Sequence, residues 1–137
     1  MTQTEKDLLL KDLCARLPYG IKAKIKHYDY DNTWELLAIY TNGTTYATRN
    51  IGYPIETRFE DCKPYLFPLS SMTEEQKNEL NEINDLEVEI AISHIKNDTL
   101  NFTTGITRLT WLLKNHFDIY DLIPMGLAID ATGKNIY

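Results

Sequence analysis

The sequence predicts a single α+β domain, residues 1–137, in which an antiparallel β-meander packs against an N-terminal and a C-terminal helix. The first observation is a change of apolar period, which is helical before Gly20, two from Ile21 onward, and helical again after Thr104. The second is that short turn signals separate the extended runs, as in a meander. A length of 137 residues also matches the usual size of one domain.

The first predicted element is a helix from Thr4 to Arg16. Thr4 has the side chain of an N-cap, acidic residues follow it, and Pro18 with Gly20 ends the helical pattern. The apolar stripe of this helix consists of Leu9, Leu10, Leu13, Cys14 and Leu17. We expect this stripe to cover the apolar face of the sheet.

The next segment, residues 21–28, has the alternation of a strand with one buried and one solvated face. Its predicted inner face consists of Ile21, Ala23, Ile25 and His27. Its predicted outer face consists of Lys22, Lys24, Lys26 and Tyr28. Alternate residues of a strand lie about 7 Å apart, so the three lysines form a cationic row.

Further strands are expected over residues 34–40, from Thr44 towards Ile51, and over residues 57–61. The pair Asn42-Gly43 predicts a type I′ hairpin turn between the first two of these strands. Together with the lysine-bearing strand, these segments make up the meander.

The segment KPYLFPLSSMTEE, residues 63–75, places apolar and aromatic side chains between two prolines. Pro64 and Pro68 each restrict their own φ and that of the preceding residue, so the chain is held extended. Because proline cannot donate a ladder hydrogen bond, the segment is predicted to be an extended strap rather than a central strand. Its apolar side chains are expected to anchor the strap in the core.

An acidic helix is predicted to follow, from Thr73 to about Asn84, with Thr73 and Gln76 spaced as a capping box. The net charge of the chain is −6, and residues 73–89 account for all of it. The acids in this range are Glu74, Glu75, Glu79, Glu82, Asp85, Glu87 and Glu89, against the single base Lys77. The rest of the chain is neutral.

Residues 86–96 fit two structures. Their alternation favours a strand, and the competing interpretation is one long helix continuing to about Lys96. A helix from Ile106 to Phe117 is then expected, opened by Thr104-Gly105, with Leu109 and Leu113 on its apolar side.

The composition argues against several classes of protein. No apolar run approaches the ~20 residues of a membrane span, and residues 1–13 lack the pattern of a signal peptide, so we expect neither. Cys14 and Cys62 lie far apart, which favours two reduced thiols over a disulfide. The charge balance argues against a generic nucleic-acid binder. No phosphate-binding glycine loop, nucleophile elbow or spaced metal-ligand motif is present, so neither catalytic residues nor a cofactor or metal is predicted.

Three blocks of the sequence, DLCARLPYG, KPYLFPLSSMTEE and HFDIYDLIPMGLA, occur in this order along the chain. In this combination the chain resembles a family of small uncharacterised proteins encoded by phages and prophages of gut Bacteroidetes. The resemblance implies a phage-associated protein in the cytoplasm of the bacterial host. It implies no catalytic residues, because no chemistry is established for the family.

These observations favour a non-enzymatic binding protein, for which we consider two hypotheses, and we keep an enzyme as a third. The first is an accessory protein, acting against host defence, that sequesters a small anionic, nucleotide-like ligand between the sheet and the strap or between two copies of the chain in a homodimer. The second is an adaptor or inhibitor that docks a host protein, or mimics DNA, through the acidic helix. The third is a small nucleotide hydrolase. Residues expected to bind the anionic ligand are Lys22, Lys24, Lys26, Arg49, Arg58, Lys63, Tyr65, Ser70 and Ser71.

Overall fold

The computed structural model describes residues 1–28, 33–49, 53–83 and 107–137, and it confirms the α+β fold class. The described helices are α1 (Gln3–Arg16), α2 (Glu74–Glu82) and α3 (Arg108–Lys114). The described strands are β1 (Lys22–Ile25), β2 (Trp34–Ile39), β3 (Thr44–Thr48), β4 (Ile55–Arg58), β5 (Cys62–Leu66) and β6 (Ile129–Asp130). The alternative structures predicted for residues 86–96, and the predicted helix start at 104–106, lie outside the described ranges.

The strands form one sheet in the order β4-β3-β2-β1-β5-β6. Neighbours from β4 to β5 are antiparallel, and β6 pairs in parallel with β5. Strands β1 to β4 follow one another in space as they do in the chain, which confirms the predicted meander. Strand β5 then returns to the other side of β1, so β1 lies inside the sheet.

Helix α1 covers one face of this sheet. Leu9 and Leu13 are fully buried against inward-facing side chains of the strands, among them Ala23, Ile25 and Leu36. The predicted N-cap is wrong by two residues, because Thr2 caps the helix and shares a capping box with Glu5. Thr2 and Thr4 can each cap a helix with the side-chain hydroxyl. Only Thr2 is followed three residues later by a glutamate, which completes the capping box.

The buried side of α1 also holds a charged pair that hydrophobic periodicity did not predict. Asp12 and Arg16 are both 0 % exposed. The guanidinium donates Nε–H and Nη2–H to the two carboxylate oxygens at 2.8 and 2.9 Å, and Nη2 also donates to the Phe117 carbonyl. Cys14, predicted on the apolar stripe, is instead exposed, and it is not bonded to the buried Cys62. The side of α1 that carries Asp12 and Arg16 is therefore buried, and the bond from Arg16 to the distant Phe117 carbonyl stabilises this orientation.

The predicted hairpin between β2 and β3 is confirmed, and its predicted turn type is wrong. A type I′ turn needs positive φ at both central residues, whereas Gly43 has φ +88° and Asn42 is not among the described residues with positive φ. The N–H of Gly43 donates to the Tyr40 carbonyl, and the N–H of Tyr40 donates to Thr44 across the loop. This is the three-residue loop in which a left-handed glycine completes the hairpin.

Two strand limits also differ from the sequence prediction. The first strand ends at Ile25, not Tyr28, because the chain turns at Lys26 and His27, and His27 has φ +74°. The extended run predicted for residues 57–61 begins earlier, as β4, and gives way to a 3-10 turn at Phe59–Asp61. The turn places the Phe59 ring in the core.

The prediction that the strap is not a central strand is wrong. Its first part is β5, which lies between β1 and β6. In this ladder Pro64 is opposite Ala23. The Lys26 N–H donates to the Asp61 carbonyl, so Lys26 and Asp61 form a hydrogen-bonded pair. By the antiparallel alternation, Pro64 falls at a position that needs no donor to β1. The β6 pairing begins only at Tyr65, so the missing N–H costs no ladder bond.

The predicted cap of α2 is confirmed, whereas α3 has Thr107 as its N-cap and both helices end before their predicted last residues. Thr73 and Gln76 form the expected capping box at the start of α2. Helix α3 begins after the N-cap Thr107 and ends at Lys114, three residues before the predicted end. Leu109 is 53 % exposed, which corrects its predicted place on the apolar side. Leu113 is buried as predicted, and Trp111 is buried with it.

The described helices include none that is both long and apolar enough to cross a membrane.

Candidate functional site

The register of β1 and β5 places lysines from both strands next to each other. Lys24 lies directly opposite Lys63 in the antiparallel ladder. Continuing this register by one step places Lys22 opposite Tyr65, and alternation puts all four side chains on the face opposite the α1 core. The basic strand and the strap are therefore neighbours, as predicted, but the first part of the strap is a strand of the sheet and does not cross over it to form a pocket.

Lys26 extends this group by one position. Its N–H donates to the Asp61 carbonyl at 2.9 Å, so the β1–β5 register continues past the end of β1. We call Lys22, Lys24, Lys26 and Lys63 the lysine face. Tyr28, predicted on the same face, lies edge-on to the core residue Trp34, with ring centroids 5.3 Å apart. The positive φ of His27 reverses the alternation before Tyr28.

The lysine face carries concentrated positive charge. Lys26 and Lys63 are exposed and Lys24 is half-buried. No described carboxylate forms an ion pair with Lys24, Lys26 or Lys63. Two acidic residues lie beside the group in the described register, Glu35 opposite Lys22 and Asp61 opposite Lys26. Like charges directly opposite each other destabilise a sheet, so the Lys24–Lys63 pair is not explained by stability.

Lys22 differs from the other lysines because the C-terminal segment holds it. Its Nζ donates to the Ile136 carbonyl at 2.9 Å and lies 5.8 Å from the centroid of the Tyr137 ring. The Tyr137 hydroxyl accepts the Lys22 backbone N–H at 3.0 Å and donates to the Tyr65 carbonyl at 2.9 Å. A side-chain hydroxyl thus bridges β1 and β5 at the position where a ladder bond would otherwise form.

Tyr65 lies on the lysine face but is only 4 % exposed. A ligand on this face would therefore meet ammonium groups rather than the Tyr65 ring. The sequence analysis missed both Tyr137, which covers this part of the face, and His116, whose ring stacks on Tyr137 at a centroid distance of 3.5 Å. No local pattern indicates these contacts, because Tyr137 and Lys22 are far apart in the chain.

Burial, together with the nearby positive charges of Arg16 and Lys22, lowers the pKa of His116 to about 4. Its ring is therefore neutral at pH 7. Burial of the hydroxyl raises the pKa of Tyr137, which keeps it protonated and able to donate to Tyr65. The stacking contact between His116 and Tyr137 is thus made by two uncharged rings.

Neither arginine of the predicted set lies beside the lysines. The guanidinium of Arg49 lies 5.3 Å from the centroid of Trp34, a residue of the core face. Arg58 is opposite Thr44 on the edge strand β4, with β3 and β2 between it and β1. Its guanidinium is paired with Glu60 at 3.0 Å.

The predicted serines follow β5 in a 3-10 turn, Leu69–Ser71. Ser70 is exposed, and the Ser71 hydroxyl donates to the Pro68 carbonyl at 2.7 Å. Ser71 therefore stabilises the turn. Within the described ranges, no group of three or more His, Cys, Asp or Glu side chains is arranged to hold a metal ion.

Helix α2 forms a second charged surface. None of its residues is buried, and Glu74, Glu75, Glu79 and Glu82 are exposed. The single base of α2, Lys77, forms an ion pair with Glu74 at 3.1 Å. Its single apolar residue, Leu80, is only partly buried, which is unusual for a helix packed on a domain.

Comparisons of the chain with protein-family models, with functionally characterised proteins and with solved structures found no match. The fold and the site by themselves define an α+β protein with a basic sheet face on one side and an exposed acidic helix elsewhere. The resemblance to phage and prophage proteins stays a prediction.

Proposed function

We propose that the chain is a non-enzymatic phage or prophage accessory protein that binds a phosphate-bearing ligand on the lysine face. The observation that carries this proposal is the pairing of Lys24 with Lys63 in adjacent strands. An anion placed between two such ammonium groups replaces their repulsion by attraction to both. Lysine is suited to this role because its ammonium group binds phosphate as a compact point charge.

The geometry favours recognition of phosphate over recognition of a base. The ammonium groups come from neighbouring positions of two strands, whereas Tyr65, the aromatic residue expected to stack on a base, is buried. We therefore expect ligands with two or more phosphates to bind more tightly than those with one, with little preference for the base. A nucleotide signal of host defence belongs to this chemical class.

Calorimetric titration tests this function. Linear and cyclic nucleotides and inorganic tripolyphosphate are titrated into the wild type and into Lys24→Gln and Lys63→Gln variants. Each substitution removes a charge-assisted contact worth about 1.5–3 kcal/mol, so affinity should fall roughly tenfold or more. Lys77→Gln is the matched control, because Lys77 is an exposed lysine on α2, away from the sheet face.

Three results would contradict the proposal. The first is the absence of binding below about millimolar, which corresponds to about −4 kcal/mol. The second is unchanged affinity in both Lys24→Gln and Lys63→Gln. The third is nucleotide turnover by the wild type, detected by chromatography of the titrated samples, which would favour the hydrolase hypothesis instead.

The exposed surface of α2 favours a second candidate function, docking of a host protein. A helix that buries no side chain leaves its four glutamates available to a basic partner. Co-purification from host lysate, at low and high salt, tests this candidate with Glu79→Lys and Glu82→Lys variants. A partner retained equally by the wild type and the variants would not be bound through α2.

A further inference from the structure

A cluster of polar side chains lies beneath the lysine face, where α1 meets the segment after α3. Its central contacts are the bonds from Arg16 to Asp12 and to the Phe117 carbonyl. His116 precedes Phe117 and stacks on Tyr137. This cluster takes no part in the proposed phosphate binding, yet two of its atoms stand out.

Arg16 Nη1 and His116 Nδ1 are buried and have no hydrogen-bond partner among the described protein atoms. Burying a polar group without a partner costs about 1–3 kcal/mol, and native proteins rarely do so. The two atoms belong to neighbouring groups, since the guanidinium that carries Nη1 also bonds the residue next to His116. Besides burial, the charge of Arg16 also contributes to the lowered pKa of His116, so the guanidinium and the imidazole lie near each other.

The two atoms are complementary. Nη1 is a donor, because guanidinium nitrogens carry only N–H bonds. Nδ1 of a neutral imidazole is an acceptor when Nε2 carries the proton, and the positive charge of Arg16 favours a lone pair directed towards it. The molecule that satisfies both is therefore one that accepts from Nη1–H and donates to Nδ1.

We propose that one water molecule is bound between Arg16 and His116, accepting a hydrogen bond from Nη1–H and donating one to Nδ1. An anion does not fit, because Asp12 already neutralises the guanidinium through two hydrogen bonds. A metal ion does not fit, because the adjacent guanidinium repels it and Nδ1 supplies a single ligand atom. Water meets both needs without adding charge, which is the usual role of buried water.

The backbone of His116 is held by contacts that do not involve its ring. His116 has φ +63°, in the left-handed region that non-glycine residues seldom adopt. Its N–H donates to the Leu113 carbonyl, and its own carbonyl accepts from the Phe67 N–H. These bonds hold the backbone, and the bound water holds the ring nitrogen on the side of Arg16.

Oxygen-17 magnetic relaxation dispersion tests the proposal by counting long-lived waters. The wild type is compared with His116→Phe, which keeps an aromatic ring on Tyr137 and removes Nδ1. We expect the variant to lose one long-lived water. His27→Asn is the matched control, since it removes an exposed histidine that also has positive φ and leaves His116 and Arg16 unchanged, and its count should equal that of the wild type.

Equal counts in the wild type and in folded His116→Phe would overturn the proposal. Should His116→Phe not fold, a high-resolution crystal structure of the wild type decides instead. Density for one water within about 3.2 Å of both nitrogens is the supporting result. A direct protein partner at either nitrogen, or the proton found on Nδ1 by ¹⁵N NMR at pH 7, would overturn it.

Discussion

The hydroxyl of Tyr137 lies 2.9 Å from the carbonyl oxygen of Tyr65 and accepts the N–H of Lys22 at 3.0 Å, so it joins two neighbouring strands. The Tyr137 ring, which carries this hydroxyl, is stacked on the ring of His116. One side chain near the end of the chain therefore completes the β1–β5 ladder and covers the side of the lysine face occupied by Lys22.

Replacing Tyr137 by phenylalanine should destabilise the protein by about 1–3 kcal/mol. The ring and its stacking remain, whereas the Lys22 N–H and the Tyr65 carbonyl lose their shared partner. Urea unfolding measures the difference. Tyr53→Phe is the control, because Tyr53 is 93 % exposed and its hydroxyl should matter by less than about 0.5 kcal/mol. Equal stability of the two variants would show that water replaces the bridging hydroxyl.

Stability should fall with acid between about pH 6.5 and pH 4. The pKa of His116 is about 4 in the folded protein, against an ordinary value of 6.5, so the unfolded chain binds more protons in this window. The free energy of unfolding therefore rises with pH through the window. Above pH 6.5 the lowered pKa of His116 costs the folded protein no stability. At pH 4 the free energy of unfolding is lower by on the order of 2–3 kcal/mol.

Urea unfolding at several pH values, with His116 followed by NMR, measures this effect. In His116→Phe the loss of stability over the window should be smaller. His27→Asn is the control, since His27 is exposed and also has positive φ, a conformation that asparagine tolerates. An imidazole of His116 that titrates near its ordinary pKa in the folded state would refute this prediction.

Removing Asp12 should destabilise the protein by about 3–5 kcal/mol, because Asp12→Ala leaves the buried charge of Arg16 unpaired. The double variant Asp12→Leu, Arg16→Met should be closer to the wild type, since it buries no charge. Thermal or urea unfolding measures both. Asp7→Ala is the control, because Asp7 is an exposed residue of the same helix bonded to Gln3. A double variant less stable than Asp12→Ala would mean that the bond to Phe117 dominates.

Reversing the charge of Lys63 should separate stability from binding. In Lys63→Glu a carboxylate faces Lys24 across the strands. The free energy of unfolding should therefore rise by a few tenths of a kcal/mol, up to about 1 kcal/mol, at low salt. High salt should remove this gain by screening. Phosphate binding should be lost at the same time. Reversal at Lys77, which is paired with Glu74, should lower stability slightly and leave binding unchanged.

Local patterns predicted much of this fold. The change of period at Gly20 predicted where α1 gives way to β1, and Thr73 with Gln76 predicted the start of α2. These features depend on interactions between residues a few positions apart, and such interactions can be recognised in the sequence. The alternation of lysines along β1 also predicted that they share one face.

Only the tertiary structure decided which segments meet. The sequence by itself determined that residues 63–67 are extended, but the pairing of β5 with β1 decided that Lys63 lies opposite Lys24. The burial of Arg16 and the place of Tyr137 depend on Phe117, Lys22 and Tyr65, which are distant in the chain. The physical reason is that turns, caps and periodicity are local, whereas strand partners and the burial of polar groups follow from which long-range contacts exclude water and satisfy hydrogen bonds together.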